Sequence, residues 1–168
     1  MSQRNSEYAR VEGDTYITPK WVYAALHSVE PDMVWGWDCA PANSGFDFLS
    51  MAEPEHSYIA TNPPFSLADA FVRHALKITE QHVGMVAMLL PMAWDAAKTR
   101  RDLFERPPFK AKFTLTKRIR WENLEQKKAG PSSNHAWFIW DWAYGGKPFL
   151  GYLPKVEYPA TLTHHEER

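Results

Sequence analysis

Tyr58-Ile59-Ala60-Thr61-Asn62-Pro63-Pro64-Phe65-Ser66 is an apolar strand-former running into two prolines and an aromatic residue, and the fold of the chain turns on it. Two consecutive prolines hold φ near about −65°, carry no N–H and push the residue before them out of the helical region. Asn62 is therefore predicted to stand extended at a rigid strand exit. Its side-chain oxygen and the carbonyls of Asn62 and Pro63 are acceptors without a local donor, and acceptors facing a cleft suit an amino group. Phe65 offers an aromatic face to a planar ring. Ser66 and Asp69 read as the N-cap and capping box of a helix over residues 67–78, with Leu67, Phe71 and Ala75 on one face. A proline pair that merely ends a strand is the plainer reading of the same residues. The strand before and the helix after give the chemical reading its context.

Working outward, 168 residues at 45% hydrophobic make one domain with a substantial core, too short for two of ordinary size. It is placed at residues 14–154, between a loose N-terminus (1–13) and a polar tail (155–168). Cys39 is the sole cysteine, which excludes an intramolecular disulfide. Without an apolar leader or a long apolar run, a cytoplasmic location and no membrane partner are expected. The seven histidines lack metal-ligand spacing, and Gly-rich phosphate loops are absent, so no metal and no nucleoside triphosphate is implied. The net charge of −1 conceals an asymmetry. Residues 98–128 carry eleven Lys/Arg against four Asp/Glu, an excess of seven positive charges, so the remainder carries an excess of eight negative ones. A basic segment beside aromatics is the footprint of a phosphate-backbone contact, although charge runs are also ordinary solvated surface.

Thr18 and Pro19 read as the N-cap and first residue of a helix with Val22, Leu26 and Val29 on one face. Residues 33–37 read as a short strand. The apolar run 83–91 belongs at the centre of a sheet covered on both faces. A helix is expected over 94–104, halted by Pro107-Pro108. Residues 113–121 alternate as a strand, and a turn at 130–134 leads to an aromatic-rich strand over 135–141. Strands alternating with helices argue for an α/β layered fold.

Asn62-Pro63-Pro64-Phe65 resembles motif IV, (D/N/S)PP(Y/F/W), of the amino-methyltransferases that use S-adenosylmethionine. The resemblance spans residues 14–154 and implies a reduced class I methyltransferase fold, a Rossmann-like three-layer α/β structure with a C-terminal antiparallel hairpin. It implies that Asn62 and Pro63 accept hydrogen bonds from the exocyclic amine of a flipped base, with Pro64 holding the elbow and Phe65 stacking on the base. Acceptors on the amine help localise its lone pair, and orientation toward the methyl group supplies further acceleration. Tyr16-Ile17-Thr18-Pro19 looks like the family's Tyr-x-Thr-Pro motif beside the cofactor. Asp38-Cys39-Ala40 stands where motif I would be, with Gly45 the one glycine left in the loop. Asp47-Phe48-Leu49 looks like motif III. The resemblance thus assigns Tyr16, Thr18, Pro19, Asp38, Ala40, Asp47 and Phe48 to S-adenosyl-L-methionine. It places Lys117, Arg118, Arg120 and Trp121, near motif VIII, and Ser133 and Asn134 at the following turn, against DNA; an edge strand with solvated arginines and a plain loop are the alternatives.

The helix, strand and ribose-binding acid that the family has between motifs I and III are missing here. Either the cofactor is held by fewer contacts, or another subunit of a homodimer completes the pocket, or cofactor binding has been lost. With no segment for a separate target-recognition domain, sequence preference is short or relaxed, and a duplex substrate must have its base flipped at a cost of a few kcal/mol. The expectation is N6 methylation of adenine in DNA by an enzyme of the kind phages carry, acting in the bacterial host cytoplasm. RNA adenine, a protein glutamine amide, and a retired methyltransferase fold that binds nucleic acid or a host protein are the other readings.

Overall fold

A computed structural model describes residues 16–40, 47–105, 108–121 and 133–156. The segments expected as a loose N-terminus (1–13), as the part of the glycine loop over 41–45, as the turn up to residue 132 and as a polar tail beyond residue 156 lie outside the described residues.

Five strands form one mixed sheet: β1 (Tyr58–Thr61), β2 (Met85–Pro91), β3 (Phe109–Leu115), β4 (His135–Asp141) and β5 (Phe149–Leu153), in the order β1-β2-β4-β3-β5. β1 runs parallel to β2, with Thr61 opposite Met88. β4 runs antiparallel between β2 and β3, and β5 runs parallel to β3. Side chains along a strand point alternately to opposite faces, and here both faces are apolar. Val86, Met88 and Leu90 join Phe138 and Trp140 beneath α2 (Ala68–Thr79), through Phe71, Val72 and Ala75. Met85, Ala87 and Leu89 join Trp137, Ile139 and Leu115 beneath α1 (Lys20–His27), through Val22, Ala25 and Leu26. The result is three layers, helix on sheet on helix.

The two buried indoles of β4 find backbone partners: Trp137 Nε1 donates to Val22 O at 3.1 Å and Trp140 Nε1 to Leu103 O at 2.7 Å. Each thereby ties the sheet to one flanking layer while its ring fills the core, which is how a polar-tipped aromatic is buried without loss.

The apolar runs 83–91 and 135–141 are the central strands, as expected for continuous apolar segments. Elsewhere the structure corrects the sequence-based expectations. Residues 33–37 are not a strand: Pro31–Trp35 is a 3₁₀ turn, and only Trp37 bridges β1, through Trp37 N to Tyr58 O (2.8 Å) and Ala60 N to Trp37 O (3.1 Å). Pro31 pre-sets a helical turn, which buries Met33 without extending the chain. α1 starts one residue later than expected, capped by the backbone of Pro19 with no side-chain contribution from Thr18.

No capping box opens α2. A 3₁₀ turn, Phe65–Leu67, precedes it, Leu67 is exposed, and Asp69 pairs instead with Arg73 at 2.8 Å. The expected helix over 94–104 is broken into 3₁₀ turns Trp94–Ala96 and Lys98–Arg100 and a short α3 (Asp102–Glu105). Ala97 is extended between them, and the Arg100 guanidinium folds back to donate to Trp94 O at 2.7 Å while lying 4.3 Å over the indole. The strand placed at 113–121 occurs earlier, as β3, and the β3–β4 antiparallel pair is interior to the sheet rather than its end. The edge is β5, a strand that periodicity did not announce.

Candidate active site

In an open α/β sheet, ligand sites lie beyond the carboxyl ends of the parallel strands. At that end β1 delivers Asn62, β2 delivers Met92, and the antiparallel β4 begins with His135, opposite Pro91. Thr61, the last residue of β1, is fully buried and donates from Oγ1 to Asp38 Oδ1 at 2.6 Å. Asn62 follows with its Oδ1 buried and without a hydrogen-bond partner among the described residues. Leaving a buried acceptor unmade costs about 1–3 kcal/mol. The following prolines have no N–H to offer it, so the cost is built into the backbone.

Pro64 is extended (φ −53°, ψ 124°) and turns the chain into the 3₁₀ turn that carries Phe65. Phe65 stacks on His135, ring centroids 5.6 Å apart and planes 28° apart, and meets Trp121 edge-on at 6.2 Å. Trp121 in turn meets His135 edge-on at 5.2 Å and Tyr16 at 5.7 Å. Four rings from four distant parts of the chain thus wall the exit of β1. His135 is 2% exposed, and neither ring nitrogen makes a hydrogen bond of acceptable geometry among the described residues. Burial pushes its imidazole down to about 4, opposed weakly by the Ser133 backbone, so the ring is neutral at pH 7.

A second cluster lies under β1. Asp38 accepts from Thr61, from the Tyr23 hydroxyl at 3.0 Å and from the Ala40 N–H at 3.1 Å. Burial, then the Asp38 charge, push the Tyr23 phenol well above its ordinary range, with Thr18 opposing weakly. Burial and Asp38 likewise push the Cys39 thiol up. Of the residues assigned to the cofactor, Tyr16 joins the aromatic wall, Thr18 lies against Tyr23, Pro19 caps α1, Ala40 donates its N–H to Asp38, and Phe48 is core, 1% exposed and packed on Phe71 and Trp37. Asp47 is exposed, and its carboxylate has no partner among the described residues. The fit to S-adenosylmethionine is therefore incomplete: Asp38 spends both oxygens on the protein, and Asp47 is the one acid left to receive a ligand.

Of the residues assigned to DNA, Lys117, Arg118, Arg120, Ser133 and Asn134 are exposed while Trp121 is buried. Arg118 Nε donates to Asn134 Oδ1 at 2.9 Å, closing the turn after β3 onto the start of β4.

No protein-family model matches this chain, and no curated protein matches it. The arrangement itself combines a buried, unspent amide oxygen with an aromatic wall and a basic rim. It can accept a hydrogen from an amine held against a flat ring. His135, Thr61 and Tyr23 are the site residues that sequence reasoning missed. The one available signal was a histidine heading an otherwise apolar strand. Among the described residues no helix is long and apolar enough to cross a membrane, and no cluster of three or more His, Cys, Asp or Glu could hold a metal ion.

Proposed function

We propose that the site recognises the exocyclic amine of adenine in DNA and transfers to it the methyl group of S-adenosylmethionine. The observation that carries the reading is the Asn62 Oδ1, buried at the carboxyl end of β1 and without a partner among the described residues. An amine N–H is one donor that would relieve it. Asn62 and the Pro63 carbonyl would accept the two amine hydrogens, which helps localise a lone pair otherwise delocalised into the base. Phe65, with one face already covered by His135, would offer the other to the base. Hydrophobic walls at Tyr16 and Trp121 would exclude water from the amine. S-adenosylmethionine would supply an electrophilic methyl group. Lys117, Arg118 and Arg120 would hold the phosphate backbone, and the resemblance to phage-type adenine methyltransferases supports the same assignment.

A second reading rests on Asp38. Its oxygens are engaged by Thr61, Tyr23 and Ala40, and among the described residues only the Trp37 bridge extends the sheet beyond β1. These features favour a retired methyltransferase fold that binds nucleic acid without catalysis.

The deciding assay incubates the protein with methyl-labelled S-adenosylmethionine and adenine-containing DNA or RNA, followed by nucleoside analysis. Labelled N6-methyladenine in DNA, lost in Asn62→Ala, is expected. Label on RNA alone would redirect the substrate. Absence of label together with absence of calorimetric S-adenosylmethionine binding would favour the second reading.

A further inference from the structure

We propose that the β3–β5 edge of the sheet is a track for a single-stranded stretch of nucleic acid beside the target base, with Tyr152 stacking an unpaired base. The inference rests on the reading of a polynucleotide as substrate, and adds to it a strand, β5, in which the resemblance assigns no residue.

β5 pairs with β3 on one side and stands at the end of the sheet on the other. Leu153 is buried in the α1-side core and Phe149 meets Phe113 edge-on at 5.5 Å, so these two face one layer. Leu150 and Tyr152 alternate to the opposite face, opposite Lys112 and Thr114 of β3, and are 75% and 72% exposed. Edge strands ordinarily guard themselves with charge inside the strand, and Phe149-Leu150-Gly151-Tyr152-Leu153 has none. The charge lies around it. Residues 108–121 and 143–156 hold seven Lys/Arg and no Asp/Glu, in a chain whose net charge is −1.

Lys110 and Lys112 are spent on Glu30, Asp141 and Asp95. Lys117, Arg118, Arg120, Lys147 and Lys155 are exposed and form no ion pair among the described residues. Uncompensated cations around bare aromatic and aliphatic side chains match a polyanion that also carries flat faces. A duplex hides those faces in its stack, so the strand must be unpaired where it meets Tyr152. The surface also leads toward the candidate site. Thr116 N donates to Leu153 O at 2.9 Å, joining the end of β5 to the basic turn, and Arg118 bonded to Asn134 carries that turn to His135 and Phe65.

The test is fluorescence anisotropy with a labelled, adenine-containing oligodeoxynucleotide of about a dozen nucleotides, single-stranded and duplex, across a salt series. Tyr152→Ala is expected to weaken single-strand binding about tenfold with the salt slope unchanged, and Tyr152→Phe to restore it. Lys147→Ala and Lys155→Ala should each reduce the slope by about 0.7. Wild-type affinity in Tyr152→Ala, or no single-strand binding by the wild type, overturns the track. So does a self-associated species in sedimentation that Leu150→Glu makes monomeric, because the edge is then a protein interface. If Tyr152 governs binding but no methyl group is transferred, the proposed function fails and the track stands. If methylation proceeds while Tyr152→Ala binds like wild type, the reverse holds.

Discussion

Phe65 lies over His135 with ring centroids 5.6 Å apart and planes inclined by 28°. The contact joins the Asn-Pro-Pro-Phe elbow to the first residue of a strand far along the chain. It fixes the orientation of Phe65, which also packs against the α1-side core and meets Trp121 edge-on at 6.2 Å.

The same contact makes stability depend on pH. His135 is neutral in the fold because burial pushes its imidazole down to about 4, whereas the unfolded chain titrates near about 6.5. The unfolded state therefore binds more protons between these values. Full stability is present above pH 6.5, and on the order of 3 kcal/mol is lost as pH falls toward 4. Urea midpoints measured between pH 7.5 and 4 should show this fall in the wild type and a flatter profile in His135→Phe. Equal slopes in the two proteins would exclude His135 as its source.

Asn62→Ala should separate function from stability. The side chain carries a buried oxygen that nothing in the described protein satisfies, so removing it should leave folding stability unchanged or raise it by up to about 1–3 kcal/mol. Methyl transfer should fall at least about a hundredfold, as when a single preorganised hydrogen-bonding group is removed elsewhere. A variant that loses activity only because it melts would refute this assignment.

Val83 has φ 49°, the one non-glycine residue with positive φ among the described residues. It ends the turn Glu80–His82, is exposed, and as a β-branched residue is poorly suited to the left-handed region. Val83→Gly should raise stability by about 1 kcal/mol, read as a higher urea midpoint at unchanged slope. A lower midpoint would show that the side chain contributes more than its strain costs.

Lys110 holds two carboxylates, Glu30 at 2.8 Å and Asp141 at 3.2 Å, where α1 ends beside the far end of the sheet. Its removal in Lys110→Met leaves two like charges in a poorly hydrated place, for a loss of about 3 kcal/mol. The triple variant Lys110→Met, Glu30→Gln, Asp141→Asn should recover most of it. Chemical denaturation of the single and triple variants decides the point; if the triple variant is no more stable than the single, the loss came from packing.

How much of this was legible beforehand differs by element. The Pro63-Pro64 pair, the apolar runs that became β2 and β4, and the basic stretch through Lys117, Arg118 and Arg120 were readable because each rests on local chemistry. Proline geometry, unbroken apolarity and formal charge need no partner to express themselves. Residues 33–37 and 94–104 were misread for the opposite reason. Gly36 lies where a Cβ would meet Ala60, and Trp94 lies beneath the Arg100 guanidinium, contacts that periodicity cannot display.

The sequence by itself determined an α/β chain with a rigid Asn62 at a strand exit, because backbone restriction and hydrophobic pattern act over a few residues. Only the tertiary structure decided that Asn62 Oδ1 is left without a partner among the described residues, that Asp38 is spent on Thr61 and Tyr23, and that His135 and Trp121 stand against Phe65. It alone placed β5 at the edge, where Gly151 gives the Phe113 ring the room a Cβ would take. The contacts among these join residues separated by 15 positions or more, such as Tyr23 and Asp38. Burial and unsatisfied hydrogen bonds exist only once the strands have paired.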